Sequence, residues 1–285
     1  MKDNIDMKRL EELITLALEE DLGPAGADVT SDNVFSGEKA QAAIIARQDL
    51  VVCGTDVIHA LYSRIDKKIN ADILKEDGSF VKKGTVIAKV SGKAASVMKG
   101  ERIVLNFLQR MCGVATMTRD YVKALGDKVK LLDTRKTLPG YRMLDKYAVK
   151  CGGGVNHRMG LYDMVMIKDN HKEVCGGVVN ALRSIRKNLK DYRIEVEADT
   201  LDEVKAAAAE GCDVIMLDNM DNAAVEVAAR EIRRLDPYIK IEVSGGITIE
   251  RLISLGKLDI DYVSTGAITH SAPAADLAMD IIIGA

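Results

Sequence analysis

The chain has 285 residues, a formal net charge of −3 and 47% hydrophobic against 29% charged residues, the balance of a soluble globular protein of one or two domains. No uncharged apolar run reaches roughly 18 residues, which excludes a membrane-spanning helix, and an acidic chain with no Trp and three Phe offers little for binding nucleic acid. Five cysteines (Cys53, Cys112, Cys151, Cys175, Cys212) without a C-x-x-C pair read as reduced thiols, and the charged opening "MKDNIDMKRLEEL" lacks an apolar signal core, so a cytoplasmic location is expected.

The apolar spacing of residues 7–20 predicts a first amphipathic helix. "DLGPAGADVTSD" is loop, and "EKAQAAIIARQDLVVCGTDVIHALYSRI" reads as strands followed by a helix. "EDGSFVKKGTVIAKVSGKAASVMKGE" has short β-rich runs broken by Gly and Lys-Lys turns, a cadence that resembles lipoyl and biotinyl carrier domains. A carrier role is disfavoured because Lys93, in "SGKAAS", lacks the Met-Lys-Met context of carrier lysines. From Gly100 to about Leu125 the pattern predicts a long helix leading to a second domain.

Beyond residue 128 strand-length apolar runs alternate with helical segments. The strands are "VKLLDT", "DMVMIKDN", "RIEVEAD", "DVIMLDN", "IKIEVSGG" and "YVSTGAIT", nearly continuous in apolar residues as a covered parallel sheet requires. Each ends in polar chemistry ("TRK", "KDN", "EVEAD", "LDN", "SGG", "STG"), as in a βα barrel whose strand ends share one mouth. Six clear strands rather than eight predict an incomplete, open α/β barrel.

Charge is distributed unevenly. Between Thr134 and Lys172 there are eight Lys/Arg against three Asp/Glu, with His157 and His171 in the same stretch. Arg142, Lys146, Lys150 and Lys172 fit a solvated face. Arg135, Lys136, His157, Arg158 and Lys168 stand beside strands or glycine-rich turns, which points to a small, highly anionic ligand. "EVSGG" and "VSTGAIT" bring Gly245, Gly246 and Gly266 together with the hydroxyls of Ser244, Ser264 and Thr265, suited to a phosphate at the last two strands. Glu195 and Glu197 share one strand face and Asp218 ends the next strand. Such carboxylates either hold Mg²⁺ through water or bond the hydroxyls of a ribose. His59 and His270 read as structural, and no nucleophile elbow, Walker loop or Rossmann fingerprint is present.

"DTRKTLPGYRMLDKYAVKCGGGVNHRMGLYDMVMIKDNH" resembles the signature stretch of the nicotinate-nucleotide pyrophosphorylase (carboxylating) family, the quinolinate phosphoribosyltransferases. "EEDLGPAGADVTSD", "GERIVLNFLQRMCGVAT", "EVEADTLDE", "IMLDNM", "EVSGGIT" and "STGAITHSAPAADL" extend the match along nearly the whole chain. The loop "DLGPAGADVTSD" departs by an extra residue or two. The resemblance implies a decarboxylating pentosyltransferase that converts quinolinate and 5-phosphoribosyl 1-diphosphate to nicotinate mononucleotide, diphosphate and CO₂, with Mg²⁺, in NAD biosynthesis. It implies an N-terminal α/β sandwich, placed at residues 1–113 with a tail at 272–285 packing back on it, and an α/β barrel at 114–271. It also implies a homodimer with shared active sites, Arg102 reaching the neighbour's site to grip a quinolinate carboxylate. By the same resemblance Arg135, His157 and Arg158 hold the dicarboxylate, Lys136 and Lys168 face quinolinate and diphosphate, and Glu197 and Asp218 handle ribose and metal. Ser244, Gly245 and Gly246 with Ser264, Thr265, Gly266 and Ala267 would bind the 5-phosphate. A nicotinate phosphoribosyltransferase, or a same-fold paralogue linked to molybdate uptake, is the alternative reading.

Overall fold

Asp6 starts the first helix by accepting the N–H groups of Lys8 and Arg9 at 3.0 and 3.2 Å, the usual satisfaction of orphan donors at an N-cap. In the computed structural model, which describes residues 5–282, this helix is α1 (Met7–Leu22), with Leu10 and Ile14 buried. A short turn, α2 (Ser31–Val34), precedes the strands β1 (Lys39–Ala46) and β2 (Leu50–Val51) and the helix α3 (Thr55–Ile65). Then come β3 (Asn70–Ile73), β4 (Phe80–Val81), β5 (Val86–Lys93) and the long helix α4 (Ala94–Leu125).

Helix α4 begins at Ala94, six positions before the expected start at Gly100. Gly100 looks like a breaker in the sequence but lies inside the helix for a packing reason. A Cβ there would fall 2.5 Å from the ring of Tyr62, whose Oη donates to the carbonyl of Val97 at 3.1 Å.

Past α4 the chain alternates regularly. It forms β6 (Lys130–Leu132), α5 (Arg142–Cys151), β7 (Val165–Ile167), α6 (Asp169–Cys175) and α7 (Val178–Asn188). These are followed by β8 (Ile194–Ala198), α8 (Leu201–Glu210), β9 (Val214–Asp218), α9 (Asn222–Leu235) and β10 (Lys240–Ser244). The chain continues through α10 (Ile249–Leu255), β11 (Tyr262–Ser264), α11 (Ala267–His270) and β12 (Leu277–Ile281). All six strands expected beyond residue 128 form, and they pair in parallel in the order β6-β11-β10-β9-β8-β7.

Two units result: one holds the residues through Arg119, Leu138–Gly153 and those from Ser271 on, the other Asp120–Thr137 and Gly154–His270. The first is built on an antiparallel sheet of order β12-β1-β5-β3, over which α3 buries Val57, Ile58, Leu61 and Tyr62. Its helix α5 corrects one expectation: Lys146, read as solvated, is 1% exposed. The reason is that α5 is enclosed on most sides, with Leu144, Asp145, Ala148 and Val149 buried as well, and Arg110 neutralising Asp145 through two bonds of 3.0 and 2.9 Å.

In the second unit β8 is buried along its whole length, and the surrounding helices are capped as their sequences ask. Thr200 accepts from Glu203 N and Asp221 from Ala224 N, while α9 turns Val225, Ala228, Ala229 and Ile232 inward at helical spacing. A flat six-stranded sheet would hold its edges about 24 Å apart, five steps of about 4.8 Å. Here Val155 bridges Leu132 beside β6, and His157, two residues on, reaches Glu195 of β8 and Glu242 of β10. The sheet therefore curls into an open barrel. Lys172 is the second buried cation read as solvated: 5% exposed, it meets Asp169, Asp199 and Glu203 at 2.8, 3.1 and 3.0 Å. Burial alone would lower its pKa, and these three carboxylates raise it instead.

Candidate active site

The carboxyl ends of the six barrel strands enclose one cavity of about 410 Å³. Its walls are Thr134, Arg135 and Lys136 after β6, His157 and Arg158, Met166 and Lys168 at β7, Glu197 of β8, Met216 and Asp218 of β9, Glu242 and Ser244 of β10, and Ser264 of β11. A cavity of about 440 Å³ in the first unit is lined by Ala17, Ile103, Phe107, Leu138 and Tyr141 among others. Its one cation, Arg110, is already committed to Asp145, so it lacks the charge an anionic ligand needs.

The cationic wall is held by a buried acid the sequence reading overlooked. Asp133 is fully buried at the end of β6, where it accepts Asn156 Nδ2 at 2.6 Å and His157 N at 2.8 Å. That fixes the segment carrying His157 and Arg158 against the strand. Arg158 anchors one nitrogen on the carbonyl of Met164 at 3.2 Å. Burial, and next the Arg135 guanidinium, press its pKa below the usual arginine value, the mark of two like charges aimed at one place. Lys136 is steadied by its backbone. Its N–H donates to Thr134 Oγ1 at 3.0 Å, and its carbonyl accepts from Thr269 Oγ1 at 2.7 Å. Its side chain lies on Gly266, where a Cβ would come 2.7 Å from Lys136 Cδ.

Opposite stands the acidic corner. Lys168 Nζ bonds Glu197 Oε2 at 2.8 Å. Burial, then Glu197 and Asp199, push the Asp218 carboxyl above its ordinary value, so negative charge gathers at this one corner of an otherwise cationic cavity. Hard carboxylate oxygens in such a field fit a divalent cation that prefers oxygen ligands. Glu195, considered for the same role, is engaged elsewhere: it lies beneath the mouth, 1% exposed, 3.0 Å from His157 Nε2. Glu242 Oε2 is 3.5 Å from the same nitrogen. Burial would lower the His157 pKa, but hydrogen bonds to Glu195 and Glu242 outweigh it and raise the value to about 10. Glu195 itself is pushed up by burial first and by Glu242 second. Glu242 was missed in the sequence, although it stands two residues before Ser244 and so shares its strand face.

The glycine-rich ends complete the mouth. Gly245 and Gly246 adopt φ of 82° and 58°, a region L-residues seldom enter. The Ser264 hydroxyl is buried without a hydrogen-bond partner, an orphan of the kind that a ligand oxygen satisfies. Thr265 Oγ1 accepts the N–H of Ala267 at 3.2 Å. Arg102 is the one site candidate carried by the first unit, exposed on α4 with Asn106 one turn further on.

Family models match the chain almost from end to end: the C-terminal domain of quinolinate phosphoribosyl transferase over residues 114–280 and its N-terminal domain over 28–112. A probable nicotinate-nucleotide pyrophosphorylase [carboxylating] of Bacillus subtilis (strain 168) is 42% identical over 96% of the chain and 94% of that protein. The chloroplastic nicotinate-nucleotide pyrophosphorylase [carboxylating] of Arabidopsis thaliana is 38% identical over 95% and 82%. Among solved structures, the nicotinate-nucleotide pyrophosphorylase from Francisella tularensis superposes with a TM-score of 0.94 at 34% identity, covering 99% of both chains.

Proposed function

The chain belongs to the quinolinate phosphoribosyltransferase family, and we propose that the barrel cavity is where it joins quinolinate to 5-phosphoribosyl 1-diphosphate. The activity is decarboxylating quinolinate phosphoribosyl transfer in NAD biosynthesis. The observation that carries the site assignment is the convergence of Arg135, Lys136, Arg158 and Lys168 on one cavity that also holds Glu197 and Asp218.

In this reading Arg135 and Arg158 grip the two carboxylates of quinolinate with guanidinium forks, and His157 borders the same subsite. Lys136 and Lys168 face the incoming ring and the diphosphate. Ser244, Gly245, Gly246, Ser264, Thr265, Gly266 and Ala267 hold the 5-phosphate, a use supported by the unsatisfied Ser264 hydroxyl. As the diphosphate departs, positive charge develops on the ribose. Fixed cations around the leaving group stabilise its charge without reorganisation. Glu197 and Asp218 would hold Mg²⁺ directly or through water and ribose hydroxyls, and the ion would supply charge neutralisation of the diphosphate. Once the ring nitrogen is ribosylated, the C2–carboxylate bond can break: CO₂ leaves, the electron pair stays on C2 beside the positive ring nitrogen, and C2 takes a proton from water. The arginines align the ring while leaving its C2 carboxylate able to part.

The proposal extends to assembly. Arg102, exposed on α4, would complete the quinolinate site of a second copy in a homodimer. A cytoplasmic location is supported by five unbridged thiols, and among the described residues no helix is long and apolar enough to cross a membrane. The test is release of CO₂ and nicotinate mononucleotide from carboxyl-labelled quinolinate, phosphoribosyl diphosphate and Mg²⁺. Turnover of nicotinate in place of quinolinate would move the chain to the nicotinate phosphoribosyltransferase reading.

A further inference from the structure

We propose that Arg251 is a positioning residue that sets the backbone of residues 244–246 for the 5-phosphate and ties that loop to the segment following Asp218. This rests on the assignment of 244–246 to the phosphate site. The placement begins with Thr248, the N-cap of α10, whose hydroxyl accepts Arg251 N at 3.3 Å. Arg251 therefore stands in the first turn of α10, and side chains there lean toward the helix N-terminus. It returns over the loop that has just entered the helix.

There the guanidinium is taken up by uncharged oxygens of two loops and of the first residue of α9. Nη1 donates to the carbonyl of Gly245 and, at 3.5 Å, to that of Gly246. Nη2 donates to the carbonyl of Met220, and Nε to Asn222 Oδ1 at 3.3 Å. In a trans peptide the N–H points opposite to the C=O. Holding the Gly245 carbonyl on the arginine thus turns the Gly246 N–H away from it, and holding the Gly246 carbonyl does the same for Ile247 N–H. Two successive glycines at positive φ are the least constrained backbone a chain can offer. The arginine gives this pair one orientation, with carbonyls withdrawn and amides free to meet an anion.

The second loop is locked to the first by more than Arg251. Asn219, itself at φ 54°, donates its N–H to the Ser244 carbonyl at 3.1 Å, and a Cβ on Gly245 would collide with its side chain. Asn219 Nδ2 also donates to Asp218 Oδ2 at 2.6 Å. Arg251 is thus bonded to both the phosphate loop and the loop of Asp218, while the quinolinate cations stand after β6, in the 155–158 segment and after β7. Its loss should be felt by phosphoribosyl diphosphate and not by quinolinate.

Arg251→Gln, which removes most of the donors, and Arg251→Lys, which keeps the charge with a single donor group, separate alignment from field. We expect Arg251→Gln to raise KM for phosphoribosyl diphosphate by about tenfold or more and to weaken ribose 5-phosphate binding in calorimetry by a similar factor, with KM for quinolinate within about twofold. Arg251→Lys should recover less than half of that loss on a logarithmic scale, and it serves as the test variant if the glutamine form does not fold. Unchanged ribose 5-phosphate affinity in a folded variant, full recovery by lysine, or an equal loss of quinolinate affinity would overturn the proposal. Ser244→Asp places a carboxylate in the loop itself. If it leaves ribose 5-phosphate binding intact, the phosphate-site assignment falls; if it abolishes binding while Arg251→Gln does not weaken it, the clasp alone falls.

Discussion

Glu195 and Glu197 are two residues apart on one strand and differ in depth: the first is bonded to a histidine whose side chain is covered and the second to a half-exposed lysine. Depth decides what each carboxylate can do, and it can be tested at His157. Glu242→Gln removes one of the two acids that keep its ring protonated, so the His157 pKa should fall from about 10 toward the ordinary 6.5. Histidine-labelled NMR titration reads this directly, and a titration unmoved by the change would remove Glu242 from the account. At the cavity wall Arg135→Ala should cost quinolinate binding about 2–4 kcal/mol, a rise in KM of roughly 30- to 900-fold. A near-normal KM in that variant would remove Arg135 from the substrate site. The cations of this wall were legible because Lys and Arg rarely stand at the end of an apolar strand without a ligand to meet. Asp133 was not legible, since an acid at a strand end looks the same whether it faces solvent or braces a neighbour, and Glu242 carried only the weak signal of sharing a strand face with Ser244.

Among the elements, the six barrel strands could be read because buried parallel strands are apolar without interruption. The start of α4 could not. Gly100 signals a break in one dimension and a close approach to Tyr62 in three, so Gly100→Ala should cost about 1–3 kcal/mol by overpacking despite alanine's better helix propensity. Chemical denaturation decides the sign; a stabilised variant would mean that the Tyr62 ring gives way freely. Lys146 and Lys172 were misread for a related reason, because the partners that allow a cation to be buried come from distant positions.

At the base of the barrel, Asp261 accepts from Arg233 Nη2, Lys240 Nζ and Ile241 N at 2.7, 2.8 and 3.0 Å. Burial would raise its pKa, but the bonds to Arg233 and Lys240 prevail and hold it below the usual carboxylate value. A depressed carboxylate stabilises the fold above its unfolded pKa, and the gain is lost as pH falls through the folded value. Asp261→Asn should therefore lower stability by about 1–3 kcal/mol at neutral pH, and the gap to wild type should narrow below about pH 4. Urea midpoints at pH 7 and pH 3.5 test it; a gap independent of pH would contradict the ionic account.

For the molecule as a whole, the shared-site proposal makes a prediction about mixtures. Arg102→Ala and Lys168→Ala should each be nearly inactive alone, yet regain activity when subunits exchange, because one hybrid site then carries both intact residues. Folded, exchanging partners that stay inactive together would confine the site to a single chain. The fold carries a further consequence in the pairing of β12 with β1. A strand near the start of the chain waits for one near its end, and synthesis of the intervening residues 47–276 at about 5–20 residues per second takes roughly ten to fifty seconds. Throughout that interval the edge of β1 is open to pairing with the wrong strand. Nascent chains halted before Leu277 should therefore be the form most prone to aggregate or to recruit chaperones, even with the barrel residues already made.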